Sequence, residues 1–268
     1  MRVIKPTYRK IDYSLQYRKW HSDTQEHIQN MKDLYRDMLY NFLPLNKEIR
    51  ILDVGCGMGF TLMSLQDMGY VNAEGIDIDS KQIEECIKKH VNAIYVEDSM
   101  KFLLENHECF DLIIALDIIE HIAHENQLDF LYAIHTALKS NGELICTVPN
   151  ANSSIANRWY YNDWTHHKSF TEHSLEFLLL NAGFLQIQVY EIEFFHPPDL
   201  PTIFSFKGLK ERLLNVVSSE KFRKDWMHWQ LFKLVRSWRR IQMIAELGWD
   251  QGLAVPLSLN LLTTASKN

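Results

Sequence analysis

The 268-residue chain has few cysteines and no long apolar run. Its cysteines, Cys56, Cys86, Cys109 and Cys146, form no CxxC pair, and scattered cysteines in a chain of this size are typical of reduced intracellular thiols. No hydrophobic stretch is long enough to cross a bilayer, and the opening residues MRVIKPTYRK lack the apolar core of a secretory signal. We therefore expect a cytoplasmic protein without a transmembrane segment.

Positive charge is also scarce, except in one segment. The formal net charge is −6 at pH 7, which argues against a dedicated nucleic-acid-binding protein. Residues 205–240 nevertheless hold ten lysines and arginines against three acids, so this segment is basic while the rest of the chain is acidic. A local basic patch of this kind favours an anionic substrate or surface over a long polyanion.

Short β-branched runs alternate with helical segments, which is the pattern of a parallel sheet with crossover helices. The runs predict strands at about 50–54, 72–77, 93–97, 110–116 and 142–148, with helices between them at 59–68, 80–90, 99–106 and 125–140. A helix over 22–42, capped by Ser22 or Asp23, precedes this core. A helix over 172–182, capped by Thr171, and strands at 184–195 and 256–265 follow it.

The sharpest local signal is the run ILDVGCGMG at 51–59, in which a strand leads through a glycine-rich turn into a helix. Glycine is needed where the backbone turns tightly and approaches a ligand without a Cβ in the way. The spacing G-x-G-x-G differs from the G-x-G-x-x-G of dinucleotide-binding proteins, which disfavours a nicotinamide dehydrogenase. Asp53, at the strand end, would repel a pyrophosphate but suits the ammonium group of a methionine.

Two further acids close the next two predicted strands. Asp77 can accept hydrogen bonds from both hydroxyls of a ribose, and Asp98, with Ser99 after it, could hold the amino group of an adenine. Ligands of open α/β sheets bind at the carboxyl ends of the strands, where these acids and Asp53 would meet. The alternative, that each is only a solvent-facing acid, accounts less well for three in succession.

The motif series LDVGCGMG, GIDID, EDS, FDLIIALDIIEHI and LKSNGELICTVPN resembles that of class I S-adenosylmethionine-dependent methyltransferases over about residues 48–195. The resemblance implies an α/β, Rossmann-like fold with a seven-stranded, mostly parallel sheet, an antiparallel last strand, and S-adenosylmethionine at the carboxyl edge. Carried over by position, it implies these cofactor-binding residues: Asp53, Gly55, Cys56, Gly57, Gly59, Asp77, Ile78, Asp98, Ser99 and Leu116.

We predict four parts: an N-terminal helical lid at 1–47, a cofactor-binding core at 48–199, a basic helical insert at 200–252 and the final strand of the core at 253–268. The insert carries aromatic residues at helical spacing, with lysines and arginines on another face. Three interpretations of it stay open. It could pack on the core or on a second subunit of a homodimer, bind a phosphate-bearing substrate, or contact a membrane surface.

A second group of polar residues follows the fourth predicted strand. Asp117, Glu120 and His121 stand at i, i+3 and i+4, which would place them on one face of a helical turn. With His166 from the run WTHHKSFT they would make a ligand set for a divalent ion such as Mg²⁺ or Mn²⁺. The group resembles that of metal-dependent small-RNA 2′-O-methyltransferases and ubiquinone-pathway O-methyltransferases, although Asp117 stands where those families often have Glu.

Two other roles stay open for this group: a metal-free active-site base or a structural role. Since the sulfonium of the cofactor already makes its methyl group electrophilic, the main task left to the protein is removal of the acceptor's proton. We expect O-methylation, with His121 and His166 as base or ligands and Glu120 orienting one of them. Nearby aromatic rings suit stacking on a sugar or base, or could simply pack a lid. The predicted substrate contacts are Tyr13, Tyr17, Tyr161, Trp164 and His167.

The stretch 162–184, followed by a helical insert, is similar to methyltransferases of bacterial surface-polysaccharide pathways. That similarity implies a small-molecule or glycan acceptor containing a sugar or phosphate. An RNA 2′-O-methyltransferase is an alternative, but the overall acidity and the lack of a separate RNA-binding module count against it. A non-catalytic cofactor-binding subunit is another, but it would have no need of the intact glycine loop and its acids.

Overall fold

The computed structural model describes residues 12–192 and 220–268, which contain one seven-stranded sheet flanked by helices. In chain order the strands are β1 (Ile51–Val54), β2 (Ala73–Asp77), β3 (Ala93–Tyr95), β4 (Phe110–Leu116), β5 (Leu138–Pro149), β6 (Leu185–Glu191) and β7 (Asn260–Ser266). Their order in space is β3-β2-β1-β4-β5-β7-β6. Strands β1 to β5 pair in parallel, and β7 is antiparallel to both of its neighbours. The predicted fold class, including its antiparallel last strand, is confirmed.

The described helices alternate with the strands. They are α1 (Ser14–Trp20), α2 (Gln25–Leu39), α3 (Phe60–Asp67), α4 (Ser80–Lys88), α5 (Ser99–Glu105), α6 (Gln127–Ala137), α7 (Ala156–Asn162), α8 (Glu172–Asn181), α9 (Glu220–Leu247) and α10 (Trp249–Ala254). Two 3₁₀ turns, Ile119–His121 and His124–Asn126, lie between β4 and α6. None of the helices in the described ranges has the length and apolarity to cross a membrane.

The central strands are the most deeply buried part of the sheet. All four residues of β1 are buried, and so is most of β4, because helices cover both faces of the sheet there. The strand order changes direction between β1 and β4, with β2 and β3 on one side and β5 on the other. Ligands of open α/β sheets bind outside the carboxyl ends of the strands at such a point. The fold therefore directs attention to the segments that follow β1 and β4.

Several element boundaries differ from the sequence prediction. Helix α2 begins after Thr24, whose hydroxyl accepts a hydrogen bond from the backbone N–H of His27, so neither Ser22 nor Asp23 is the N-cap. Helix α6 ends at Ala137 and β5 begins at Leu138, so the predicted helix over 125–140 is too long at its C-terminal end. The N-cap of α8 is Thr171, as predicted.

The helical insert is attached to the edge of the sheet by its arginines. Arg236 and Arg240 form ion pairs with Glu191 at the end of β6, and Arg240 also donates hydrogen bonds to backbone carbonyls at the C-terminal end of α10. Residues 1–11 of the predicted lid, 193–195 of a predicted strand and 200–219 of the predicted insert lie outside the described residues. The four domain boundaries, the homodimer and the membrane contact stay predictions.

Candidate active site

The turn after β1 has the backbone conformation of a ligand-binding loop. Gly55, Gly57 and Gly59 adopt φ angles of +74°, +53° and +80°, a region in which L-residues with a Cβ are strained. The backbone N–H groups of Gly55 and Cys56 both donate to the carbonyl oxygen of Ile76 at the end of β2. The loop is thus fixed between two parallel strands at their carboxyl ends, where the sequence places it.

Asp77 orders this loop. Its two carboxylate oxygens accept hydrogen bonds from the backbone N–H of Gly57 at 2.9 Å and of Asp79 at 2.8 Å. Each oxygen keeps a second lone pair for a ligand such as a ribose hydroxyl. Burial raises the pKa of Asp77 above its usual value, while the backbone hydrogen bonds act in the opposite direction.

The carboxyl group of Asp53 is buried, so its ionised form would require a cation beside it. Its side chain is only 2% exposed, and among the described residues Oδ2 has no hydrogen-bond partner. Burial, assisted by the charge of Asp77, raises the pKa of Asp53 to about 8. A buried ionised group is unfavourable until an opposite charge is placed beside it. Asp53 and the glycine loop therefore fit the ammonium end of an S-adenosylmethionine molecule.

Two tyrosines from the N-terminal helices lie near this loop or its acidic residues. A Cβ on Gly57 would lie 2.6 Å from the hydroxyl oxygen of Tyr17, so the ring of Tyr17 rests directly on the loop. Tyr35 of α2 lies within electrostatic range of Asp117 and Asp53, and burial raises its pKa. Both tyrosines are partly buried. Tyr35 is a site residue that the sequence analysis missed.

The other predicted cofactor residues lie around the same edge. Ile78 is 64% exposed just after β2, and Leu116 is partly buried at the end of β4. Asp98 is the N-cap of α5, where its side chain accepts a hydrogen bond from the backbone N–H of Lys101, and Ser99 is the first residue of that helix. Their contacts with a cofactor stay predictions.

Cys56 faces away from the loop's open side. A Cβ on Gly75 would meet the Cβ of Cys56 at 2.7 Å, so the Cys56 side chain packs into the core between β2 and α3. Its carbonyl oxygen accepts the N–H of Gly59, and its own N–H is bonded to β2. The local role of Cys56 is to hold the turn in shape, and its predicted cofactor contact stays untested.

On the neighbouring strand end, His121 is the first member of a hydrogen-bonded chain. Its Nδ1 lies 2.8 Å from Oγ1 of Thr165, which in turn lies 2.6 Å from Oδ1 of Asp163. Because the carboxylate can only accept, the Thr165 hydroxyl donates to Asp163 and accepts from Nδ1–H of His121. This arrangement leaves Nε2 of His121 as the unprotonated nitrogen, able to accept a proton.

The surroundings keep His121 neutral. The rings of His121 and His166 are 4.6 Å apart between centroids, and the ring of Tyr13 lies 5.5 Å away. Burial, followed by the effect of His166, lowers the pKa of His121 to about 4. Tyr13 donates a hydrogen bond to the second oxygen of Asp163 at 3.2 Å, which connects the N-terminal lid to this group. A neutral imidazole at pH 7 is the form that a general base requires.

The expectation that Asp117 shares a helical face with Glu120 and His121 is wrong. Asp117 has φ +53° and stands before the 3₁₀ turn rather than within a helix. Its Oδ1 accepts hydrogen bonds from the Thr147 hydroxyl at 2.9 Å and from the Asn260 amide at 2.7 Å. Asp117 therefore links the ends of β4, β5 and β7. It does not belong to the group of possible metal ligands that Glu120, His121 and His166 form.

Three of the four predicted metal ligands do lie together. Glu120, His121 and His166 each offer a ligand atom, and these atoms lie within 4.8 Å of one another. Glu120 is 1% exposed, and burial together with the charge of Asp117 raises its pKa, which disfavours the ionised carboxylate unless a cation lies beside it. One carboxylate and two imidazoles suit a divalent ion in their chemistry. Whether Mg²⁺ or Mn²⁺ binds there stays a prediction.

The predicted substrate residues on α7 and the loop after it lie at the mouth of the site. Tyr161 and Trp164 are 79% and 84% exposed. His167 is also exposed, and its backbone N–H donates to the carbonyl oxygen of Glu120, which fixes this loop against the 3₁₀ turn. The sequence analysis missed Asp163 and Thr165 as functional residues, although Thr165 lies within the run WTHHKSFT and Asp163 directly precedes it.

Comparison with models of known protein families shows which family this chain belongs to. A family model described as a methyltransferase domain matches residues 25–189, which is more than half of the chain. The chain belongs to this methyltransferase domain family. The match includes the glycine loop, His121 and His166, whereas Tyr13 and Tyr17 of the site precede the matched region.

Curated relatives of this methyltransferase-family chain match it over part of their length. The ubiquinone biosynthesis O-methyltransferase of Rickettsia typhi is 28% identical over 143 residues, covering 52% of this chain and 53% of that protein. Hydroxymycolate synthase of Mycobacterium tuberculosis is 28% identical over 112 residues, covering 40% of this chain and 37% of that protein. The chain thus spans about half the length, or less, of these relatives.

Solved structures share the fold at low sequence identity. A SAM-dependent methyltransferase from Archaeoglobus fulgidus superposes with a TM-score of 0.62 at 20% identity, covering 96% of this chain and all of that one. Phosphoethanolamine N-methyltransferase 2 of Haemonchus contortus, in complex with S-adenosyl-L-methionine, gives a TM-score of 0.54 at 19% identity, covering 88% of this chain and 52% of that one. These likenesses concern the fold alone.

Proposed function

We propose that this chain is an S-adenosylmethionine-dependent O-methyltransferase whose acceptor is a small polar molecule containing a sugar or phosphate, such as a surface-polysaccharide precursor. The observation that carries the proposal is the pairing of two groups at one sheet edge. Asp53 is a buried carboxylate in need of a cation, and His121 is a neutral imidazole whose Nδ1 is already engaged. A Cβ on Gly55 would lie 2.1 Å from Ile118, so the segment carrying His121 directly abuts the glycine loop.

The cofactor would be held at the carboxyl ends of β1 and β2. Asp53 would neutralise its ammonium group, the glycine loop would follow its methionine portion, and Asp77 would accept hydrogen bonds from its ribose. When bound, S-adenosylmethionine supplies an electrophilic methyl group on a sulfonium. Tyr17, lying over Gly57, would exclude water from this part of the site.

The protein's chemical contribution would be removal of a proton from the acceptor hydroxyl. Nε2 of His121 accepts that proton, and the hydrogen bonds from Nδ1 through Thr165 to Asp163 stabilise the imidazolium that forms. Tyr13 holds Asp163 in place through its hydroxyl. The name of the Rickettsia typhi relative, an O-methyltransferase, supports a hydroxyl acceptor for this chain as well.

A transfer assay with S-[methyl-³H]adenosylmethionine tests this proposal. The acceptor panel comprises sugar phosphates, sugar nucleotides, the matching unphosphorylated sugars and simple amines. We expect label in an alkali-stable ether of a phosphorylated sugar, and none when His121→Ala replaces the wild type. Label confined to amines, or failure of the protein to bind the cofactor in calorimetry, would overturn the assignment.

A further inference from the structure

A polar cleft outside the candidate active site lies between the loop after β5 and helix α9. Its volume is about 340 Å³. The lining residues are Ala151, Ser153, Ser154, Ala156, Asn157, Val235, Trp238, Arg239 and Gln242. The two walls come from parts of the chain about 80 residues apart, one from the core and one from the insert. This cleft is separate from the glycine loop and the histidine pair.

The lining of this cleft has the chemistry of an anion site. Its described lining residues combine one guanidinium with hydroxyl and carboxamide donors, and none of them is acidic. Among the described residues, Arg239 has no carboxylate partner, and its Nε is buried without a hydrogen-bond partner. Its Nη1 donates a long hydrogen bond of 3.4 Å to the side-chain oxygen of Gln242 on the next helical turn. The neighbouring Arg236 and Arg240 differ, because both are paired with Glu191. Within the described ranges, Arg239 is therefore a cation on this face of α9 that is available to a ligand.

The core wall of the cleft is held rigidly. Asn150 is fully buried, and its amide donates to the carbonyl oxygens of Pro256 and Ser258 at the entry to β7. The backbone N–H of Ser153 donates to the carbonyl oxygen of Asn150. The Ser153 hydroxyl oxygen accepts the N–H of Ile155, which leaves its proton available to a ligand. Donors fixed in this way lose little entropy when an anion binds.

We propose that this cleft binds the phosphoryl group of the acceptor, with Arg239 as its charged ligand and Ser153, Asn157 and Gln242 as neutral donors. A phosphate can use several donors at once, and arginine binds it in a bidentate manner. Trp238 on the rim, 62% exposed, offers a flat face to a sugar ring or base next to the phosphate. The proposal rests on the proposed function and specifies the acceptor's charged end.

The position of α7 relates this cleft to the site of methyl transfer. The N-terminal end of α7 contributes Ala156 and Asn157 to the cleft. Four residues after Ala156, Tyr160 has its ring 6.5 Å from that of His166. Ala156 and Tyr160 are about 6 Å apart along the helix at 1.5 Å per residue. An acceptor reaching both places would therefore extend along α7, with its phosphate at one end and the hydroxyl that is methylated beyond the other.

Binding of inorganic phosphate and of glucose 1-phosphate, followed by ³¹P line broadening, tests this inference on the full chain. Arg239→Gln removes the guanidinium, and Arg223→Gln removes the same charge from an exposed position of the same helix. We expect Arg239→Gln to weaken both ligands about tenfold or more, as for the loss of one charge-assisted hydrogen bond, and Arg223→Gln to leave both affinities unchanged. Equal effects of the two variants would overturn the proposal, because they would indicate general charge attraction.

Two further measurements keep the result decisive. Asn157→Asp places a negative charge on the exposed rim of the cleft and should abolish phosphate binding even if Arg239→Gln folds poorly; retained binding would contradict the proposal. Glucuronate, a carboxylate, should bind more weakly than glucose 1-phosphate, and equal affinity would contradict the phosphate assignment. Cofactor affinity is measured on the same samples. Weakened phosphate binding with no cofactor binding would support the cleft and reject the proposed function.

Discussion

The two halves of the sheet's carboxyl edge are assembled in different ways. On the β1–β2 side the contacts are short in sequence, as in the bond from Gly57 to Asp77, 20 residues away. On the β4–β5–β7 side they are long: His121 meets Thr165 over 44 residues, and Tyr13 meets Asp163 over 150. The first half is thus a local motif, whereas the second exists only after the whole domain has folded.

The same two halves differ in electrostatics. On the β1 side, burial of Asp53 favours its protonated form, so that a cationic ligand would bind with release of a proton. On the β4 side, burial of His121 also favours the neutral form, but there the neutral form is itself the reactive one. One half is therefore suited to binding and the other to proton transfer, and substitutions should separate the two properties.

The largest separation is expected from His121→Ala. Loss of the base should lower kcat by about 10²- to 10⁴-fold, as is usual for general-base residues, while the calorimetric Kd for the cofactor stays unchanged. His124 is an exposed histidine at the start of the second 3₁₀ turn, so His124→Ala is the control and should keep both values. A His121→Ala variant with near-normal kcat would assign proton removal to another group.

The reverse separation is expected from Asp53→Asn. Cofactor affinity should fall about tenfold or more, because a charge-assisted hydrogen bond contributes about 1.5–3 kcal/mol. Asp129→Asn, at an exposed position of α6, is the matched control and should bind normally. If Asp53→Asn bound the cofactor with wild-type affinity, the ammonium assignment would be wrong.

The same variant should change the pH dependence of stability. Asp53 has a pKa of about 8 in the folded chain and about 4 when unfolded, so the folded state binds the extra proton between these values. The wild-type free energy of unfolding should therefore fall as the pH rises from about 4 to 8, and Asp53→Asn should remove part of that fall. Parallel pH curves from urea titrations of the two proteins would contradict the raised pKa.

A smaller effect is expected from Gly57→Ala. The positive φ alone should cost about 1–2 kcal/mol, and the new Cβ would also meet the Tyr17 hydroxyl. Gly69→Ala is a matched control, because Gly69 has φ +90° but no atom within 4 Å of its added Cβ. Thermal unfolding should show the greater loss for Gly57→Ala, with partial recovery in the double variant that also carries Tyr17→Phe. Equal losses at both glycines would mean that the lid does not rest on the loop.

The smallest effect concerns the acid limb of the rate profile. Because the pKa of His121 is lowered to about 4, its neutral form persists well below pH 6.5. At saturating cofactor and acceptor, kcat should stay level from pH 7 to about 5 and decline only below that. A decline centred near pH 6.5, the usual value for histidine, would show that His121 is not in the environment described here.

The contrast between the halves also explains what the sequence could predict. The approximate positions of the strands, and those of Asp53, Asp77 and the glycines, follow from hydrophobic runs and turn residues, which act locally. The error at Asp117 arose because the i, i+3, i+4 rule presupposes a helix, whereas a positive φ at that residue turns its carboxylate towards Asn260. The hydrogen bonds from His121 through Thr165 to Asp163, and the position of Tyr35 near Asp117 and Asp53, depend on the tertiary fold, which no local sequence pattern predicts.

Proton release on cofactor binding tests the central claim most directly. Asp53 is protonated in much of the free protein at pH 7 and must ionise to meet an ammonium group. Calorimetric titration of S-adenosylmethionine in two buffers of different ionisation enthalpy should therefore show release of about one proton by the wild type at pH 7, and none by Asp53→Asn. Tight binding without proton release in the wild type would contradict the assignment of Asp53 to the cofactor.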